Sequence, residues 1–90
     1  MSRDQLHSAS DHLADAADRV NDDAAAERLR DLAAQLDSLA ESNRGPDHGR
    51  MARIQNALAD LQEDVAGDVA TTIEAANDDV AAYRETVEGV

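Results

Sequence analysis

The sequence predicts an all-α protein, an antiparallel helical hairpin that forms a helix bundle. Apolar residues recur at steps of three and four along both halves of the chain, which is the spacing of one helix face. The only proline, Pro46, lies midway between the two halves, where it predicts a turn. The predicted boundaries are 1–90 for a single domain, about 2–42 for arm 1, 43–47 for the turn and about 47–88 for arm 2.

Arm 1 carries a helix-start signal at its beginning and an interruption near its middle. Ser2 and Gln5 fit a capping box, in which the serine side chain takes up a free backbone amide. The segment Asn21–Asp23 consists of weak helix formers that prefer helix caps. The apolar stripe before this segment is about half a turn out of phase with the stripe after it. We therefore expect the helix to bend or break near 21–23.

The segment Ser42–Asp47 is the clearest turn signal in the chain. Its glycine can take the left-handed conformation that ends a helix, and Pro46 cannot continue the incoming helix. Pro46 or Asp47 then opens the helix of arm 2. Arm 2 is itself interrupted at Gly67–Asp68, which lies opposite Asn21–Asp23 when the chain is folded at the turn. We expect a second bend or break near 67–68.

The apolar residues of the two arms match in ten pairs when the chain is folded at residue 45, for example Leu36 with Ile54 and Leu29 with Leu61. The sequence predicts that these residues form the core and a dimer contact. The members of this core and dimer stripe are Leu6, Leu13, Val20, Leu29, Leu32, Leu36, Leu39, Met51, Ile54, Leu58, Leu61, Val65, Val69, Ile73, Val80 and Tyr83.

A single hairpin with two long arms leaves much of this stripe in water. Two hairpins can pair about a two-fold axis into a four-helix bundle. Alternatively, both arms break at their interruptions and the four short helices of one chain form a compact monomeric bundle. The narrow stripe and the 19 alanines, which permit close helix approach, favour the homodimer.

The composition excludes several classes of protein. Twenty acidic residues face eight arginines, there is no lysine, and the formal net charge is −12. Such a chain presents no general basic surface for nucleic acid and is repelled by an anionic membrane. The absence of cysteine excludes a disulfide framework, a zinc–thiolate site and a cysteine nucleophile. The longest apolar run, Val80–Tyr83, is too short for a transmembrane or signal segment, so we expect a cytoplasmic protein.

The same composition resembles that of proteins from extremely halophilic archaea. Fourteen of the acids are aspartates, all eight cations are arginines and Tyr83 is the only aromatic residue. More narrowly, the chain resembles the small, acidic, all-helical haloarchaeal proteins of unknown function. This resemblance rests on composition and helical layout, and it implies that stability rises with salt. The alternatives are an ordinary acidic protein and a disordered one, but the periodic apolar residues, 42% of the chain, oppose disorder.

The turn region is basic although the arms are acidic. Residues 42–56 carry three arginines against one aspartate, whereas 1–41 and 57–90 carry net charges of −6 and −8. The candidate anion-binding residues are Arg44, His48, Arg50 and Arg53. Arginine forks beside a helix start can hold a phosphate or carboxylate. The alternative, which we favour, is that Arg44 stabilises the end of its helix while Arg50 and Arg53 pair with acids of the neighbouring arm.

A weak candidate metal site lies near the start of arm 1. Asp4, His7 and Asp11 are spaced to share one helix face. A carboxylate-type di-metal bundle needs further glutamates on the other helices, and the apolar stripe has none. We therefore expect a solvated helix face and no metal or other cofactor.

The sequence offers no catalytic motif, and we expect no enzyme. Paired carboxylates such as Asp78–Asp79 recur along the polar faces, and no G-x-S-x-G elbow or glycine-rich phosphate loop is present. The first hypothesis is a self-associating or protein-interaction module. The alternatives are a regulator that binds an anionic ligand or nucleic acid through the basic turn, and a metal-binding bundle. Nucleic acid is the less favoured ligand because of the net charge.

Overall fold

A computed structural model describes residues 3–41, 47–65 and 67–87. These residues form four α-helices and, within these three ranges, no strand. The helices are α1 (Arg3–Arg19), α2 (Asp23–Glu41), α3 (His48–Asp64) and α4 (Gly67–Val87). The all-α prediction is confirmed. The predicted Ser2 cap, and the glycine and proline of the turn, lie outside the described residues.

The break between α1 and α2 falls where the weak helix formers predicted it. The last turn of α1 is closed by the Val20 amide, which donates to the Ala16 carbonyl at 3.0 Å. Asp22 then starts α2, because its carboxylate accepts the Ala24 amide at 3.0 Å and its carbonyl accepts the Ala26 amide at 2.9 Å.

The break between α3 and α4 lies two to three residues before the predicted position. Val65 leaves α3 in an extended conformation, with φ −123° and ψ 173°. Gly67 has φ +65° and is the first residue of α4. Apart from its chain neighbours and the backbone of its own helix, nothing lies within 4 Å of the position where a Cβ would be, so the backbone conformation, rather than lack of space, favours glycine here.

Asp47 caps the N-terminus of α3. Its carboxylate accepts the Arg50 backbone amide at 3.0 Å, and its own carbonyl accepts the Met51 amide at 3.0 Å. The prediction that Pro46 or Asp47 opens this helix therefore agrees with the cap at Asp47.

Replacing this cap tests how much it contributes. Asp47→Ala should lower the free energy of unfolding by about 1 kcal/mol, since one of the free amides of α3 loses its partner. For a chain of this length that corresponds to a fall in Tm of about 4–8 °C, measured by circular dichroism. Asp78→Ala, which removes an equal charge from an exposed position within α4, is the control. Equal melting temperatures for both variants would contradict the role of the cap.

The four helices of one chain pack side by side. α1 packs against both α2 and α4, and α4 also packs against α3. Over the described ranges, α2 and α3 approach each other less closely than these three pairs do. An arm of about 40 residues would be roughly 60 Å long as one straight helix. The longest dimension of the molecule is 40 Å, so neither arm is a single straight helix. Both arms are broken at their interruptions, as one of the two alternatives expected, and the chain reverses direction there.

One chain is already as compact as a folded monomer. The radius of gyration is 12.3 Å, against about 12 Å for a globular domain of this length. The accessible surface is 5260 Å², against roughly 5100 Å² for a monomer of this mass. The arrangement of the described residues therefore matches the second alternative, a bundle of four short helices from one chain.

The core lies along the bundle axis and contains most of the predicted stripe. Twelve of the sixteen stripe residues are buried, and Val20, Leu39, Val65 and Val69 are partly exposed. Alanines fill much of the remaining core, among them Ala16, Ala26, Ala33 and Ala40. Ser10, a buried polar residue in α1, donates its hydroxyl to the Ala33 carbonyl of α2 at 3.1 Å. Small side chains between α1 and α2 thus account for the close approach of these two helices.

Candidate interaction surface

The side of the bundle formed by α2 and α3 is more loosely packed than the contacts of α1 with α2, α1 with α4 and α3 with α4. We call it the α2–α3 side. At one end, an open cleft of about 460 Å³ separates Arg28 of α2 from Leu61 of α3 and from Val65, which follows α3. A smaller cleft of about 190 Å³ lies further along, between Leu32 of α2 and Arg53 of α3. Both clefts result from the looser approach of these two helices.

Partly exposed apolar residues lie on this side and at the end of the bundle next to it. The five that pack against the core without being covered are Val20, Leu39, Ala57, Val65 and Val69. Val20, Val65 and Val69 line the larger cleft. Leu39 and Ala57 lie on the flanks of α2 and α3 that face each other, as the 100° rotation per residue places them. The α2–α3 side therefore combines looser packing with incompletely covered apolar surface.

Helix α3 carries four charged side chains on the flank toward α2. Arg50 and Arg53 lie in its first half, and Asp60 and Asp64 lie in its second half. At 100° per residue, these four and Ala57 share an arc of about 80°. We call these five residues the α3 face. Arg53, Asp60 and Asp64 are exposed, and Arg50 and Ala57 are half-buried.

The four charges of the α3 face make no ion pair with any residue in 3–41, 47–65 or 67–87. In contrast, Arg19 lies 2.9 Å from Asp15, and Arg30 lies 3.3 Å from Asp18.

The charge order of α3 also opposes the helix dipole. A helix favours acids near its N-terminus and cations near its C-terminus. Helices α1, α2 and α4 each carry an aspartate in the first turn, whereas α3 has no acid there and no cation in the last turn. Arg50 and Arg53 are like charges three residues apart, and Asp60 and Asp64 are like charges four apart, which weakens an isolated helix. The intrachain environment therefore gives no reason for this charge pattern.

The predicted basic turn is only partly assembled. Arg44 lies outside the described residues. His48 is half-buried against α4, where its Nδ1 accepts the Arg84 Nε–H at 3.2 Å. The same guanidinium donates to Gln55 Oε1 at 2.6 Å. Arg84, 36 residues from His48, was not among the predicted site residues because sequence spacing carries no signal for this contact.

Arg50 and Arg53 share the smaller cleft, as neighbours on one helix face. The favoured alternative, in which they pair with acids of the neighbouring arm, was wrong for the part of the chain that the structure describes. Both guanidinium groups are therefore available to a partner that brings negative charge.

The predicted metal candidates do not come together as a metal site. His7 Nδ1 lies 3.3 Å from Asp37 Oδ1, an exposed contact between α1 and α2. Among the described residues, no group of three His, Asp or Glu side chains is placed to hold a metal ion. Asp4 and Asp11 are exposed on α1.

A serine, a histidine and an aspartate meet between α1 and α4, which the sequence did not suggest. Ser8 Oγ donates to Asp79 Oδ2 at 2.9 Å, and His12 Nδ1 lies 3.1 Å from the same oxygen. The His12 contact lacks hydrogen-bonding geometry. In a catalytic triad the histidine stands between the serine and the carboxylate. Here Ser8 contacts the carboxylate directly, so the arrangement joins two helices and lacks the order of a triad.

Within the described ranges, these features define a small, acidic bundle of four helices whose α2–α3 side is loosely packed. No helix in the described ranges is both long enough and apolar enough to cross a bilayer. The chain belongs to DUF7553, a family of unknown function, whose model matches residues 1–86. No curated protein and no solved structure matches it.

Proposed function

We propose that the protein is a non-enzymatic, self-associating helix bundle of a salt-rich cytoplasm, which binds a second copy of itself through the α2–α3 side. One observation supports this proposal above the others. The incompletely covered Leu39, Ala57 and Val65 occur together with the unpaired charges of α3 on the side where the helices pack least closely.

The compactness of one chain determines what kind of dimer is expected. Because the monomer is already folded around its own core, association does not complete the fold and is reversible. A standard interface covers roughly 800 Å² per partner. That is about one-seventh of the 5260 Å² of accessible surface, which the open side of a bundle 40 Å long can supply.

The salt concentration determines whether two such acidic chains can associate, because it screens the repulsion between them. Two bundles side by side have their centres about 20 Å apart, the width of the molecule. At 1 M ionic strength the Debye length is about 3 Å. Screening then reduces the repulsion between two charges about 20 Å apart to roughly a thousandth of its unscreened value. A charge pair in contact at about 4 Å keeps roughly a quarter of its attraction. Dimerisation is therefore a high-salt property.

A second candidate function is binding of a small anion. The absence of ion-pair partners for Arg50 and Arg53 within the described ranges favours it. However, the Asp47 carboxylate already occupies the start of α3 and opposes a further anion there. Self-association is preferred because it also accounts for Ala57, Asp60 and Asp64.

The mass in solution tests the proposal. In 2 M KCl, light scattering over a concentration series should show a rise from 9.6 kDa toward twice that value, and the rise should be lost at low salt. Ala57→Glu should suppress it, because each copy then brings an extra acid to the contact. Ala59→Glu adds the same charge two residues away at an exposed position and is the matched control.

A mass of 9.6 kDa at every salt and protein concentration would refute self-association. If that monomer binds inorganic phosphate, and Arg53→Gln abolishes the binding, the second candidate is the correct one. A dimer that forms equally well with Ala57→Glu would place the contact on another side of the bundle.

A further inference from the structure

We propose that two copies associate with their α3 helices antiparallel, about a two-fold axis that passes beside Ala57. In this arrangement Arg50 contacts Asp64 of the second copy, and Arg53 contacts Asp60. This inference rests on the proposed self-association and names the residues that carry it. A second copy is the partner whose charge pattern the α3 face matches.

The register follows from the positions of the charges along α3. Arg50 lies seven residues before Ala57 and Asp64 lies seven after it, about 10 Å on either side at the helical rise. Arg53 lies four residues before Ala57 and Asp60 three after it, a mismatch of about 1.5 Å that a flexible arginine side chain spans. A two-fold axis at residue 57 therefore superposes cations on anions at both ends of the contact.

The small side chain at the centre lets the helices approach. Ala57 is half-buried, and its methyl group leaves room for the backbone of a facing helix at the 8–10 Å separation typical of packed helices. A parallel arrangement would place arginine against arginine and aspartate against aspartate, which is unfavourable. The charge pattern thus selects the antiparallel orientation.

This contact also explains the charge pattern that the single chain leaves unexplained. Like charges in adjacent turns, in an order that opposes the helix dipole, weaken α3 when it is alone. Against a second α3 running in the opposite direction, each of the four charges gains an opposite charge. The pattern that is unfavourable within the monomer is complementary between two copies.

The pairing is tested by reversing the two arginines and then by reversing the two aspartates as well, which restores opposite charges across the contact. In 1 M KCl, R50D/R53D should weaken the dimer by about tenfold or more, because four attractive contacts become repulsive. The quadruple variant R50D/R53D/D60R/D64R keeps the net charge of −12 and restores every pair, so its dissociation constant should return to within about threefold of the parent value. Sedimentation equilibrium measures each constant, and circular dichroism checks that each variant is folded.

A matched control separates the pairing from net charge. E74R/D78R changes the charge by the same amount as D60R/D64R, at exposed positions of α4. Only D60R/D64R should weaken the dimer. If R50D/R53D has no effect, or if the quadruple variant fails to restore association, this pairing is wrong while self-association stands. A parent chain that is monomeric throughout overturns both proposals.

Discussion

Raising the KCl concentration from 0.15 M to 1 M is expected to increase the free energy of unfolding by about 2 kcal/mol, at a protein concentration low enough to leave the chain monomeric. The reason is the net charge of −12 on a chain whose radius of gyration is only 12.3 Å. Treated as a screened charged sphere of roughly 15 Å radius, the folded chain repels itself more strongly than the unfolded chain of about twice that radius. The difference is about 4.8 kcal/mol at 0.15 M and about 2.4 kcal/mol at 1 M, so the added salt removes roughly 2 kcal/mol of self-repulsion.

Urea titrations followed by circular dichroism at several KCl concentrations measure this effect. The control is E74R/D78R, whose net charge is less negative by four. Because self-repulsion varies as the square of the charge, its gain from salt should be about half as large. A stability that stays constant or falls as KCl rises would contradict adaptation to salt.

Leu36→Ala is expected to lower the free energy of unfolding by about 2–5 kcal/mol, the usual range for emptying a buried leucine site. Leu36 is fully buried, at 0% exposure, in the middle of the α2 contact with the core. Leu39→Ala, three residues further along the same helix, is the matched control. Leu39 is only partly buried, so its truncation should cost about 1 kcal/mol.

The comparison is made by urea denaturation in 2 M KCl, with the slope of the transition checked for two-state behaviour. For a domain whose total stability is of the order of 5–15 kcal/mol, the loss at Leu36 is a large fraction. Similar losses for the two variants would mean that the α2–α3 side is covered as completely as the core.

The helices were predictable because their signals are local. The spacing of leucines marks each buried face, and the segment Asn21–Asp23 places a cap where the stripe changes phase. Gly67 marked the second interruption, although the helix ends at Asp64 and resumes at Gly67 itself. These features depend on neighbours in sequence, which is why a single sequence is enough to show them.

The packing of the four helices was harder to predict. Long arms in a dimer and short helices in one chain bury the same stripe, so periodicity cannot distinguish them. The difference depends on whether the chain reverses at the two short connections, which backbone conformations at Asp22 and Val65 decide. Buried alanines such as Ala16 and Ala33 were missed because a small side chain occurs equally on buried and exposed faces.

The candidate surface could be predicted only in part from the sequence. The sequence drew attention to Arg50 and Arg53, but it associated them with His48, which instead contacts Arg84 across α3 and α4. The proposed role of Asp60 and Asp64 depends on which flank of α3 faces the loosely packed side. That orientation is a property of the assembled bundle and cannot be predicted from residue spacing.

Mixing two complementary variants tests the central claim most directly. In 1 M KCl, R50D/R53D has an entirely acidic α3 face and D60R/D64R an entirely basic one, so each alone should remain near 9.6 kDa by light scattering. Mixed in equal amounts, they should form a heterodimer of about twice that mass, because all four contacts between antiparallel α3 helices are then attractive. A mixture that stays at the mass of single chains, under conditions in which the parent dimerises, would contradict the account.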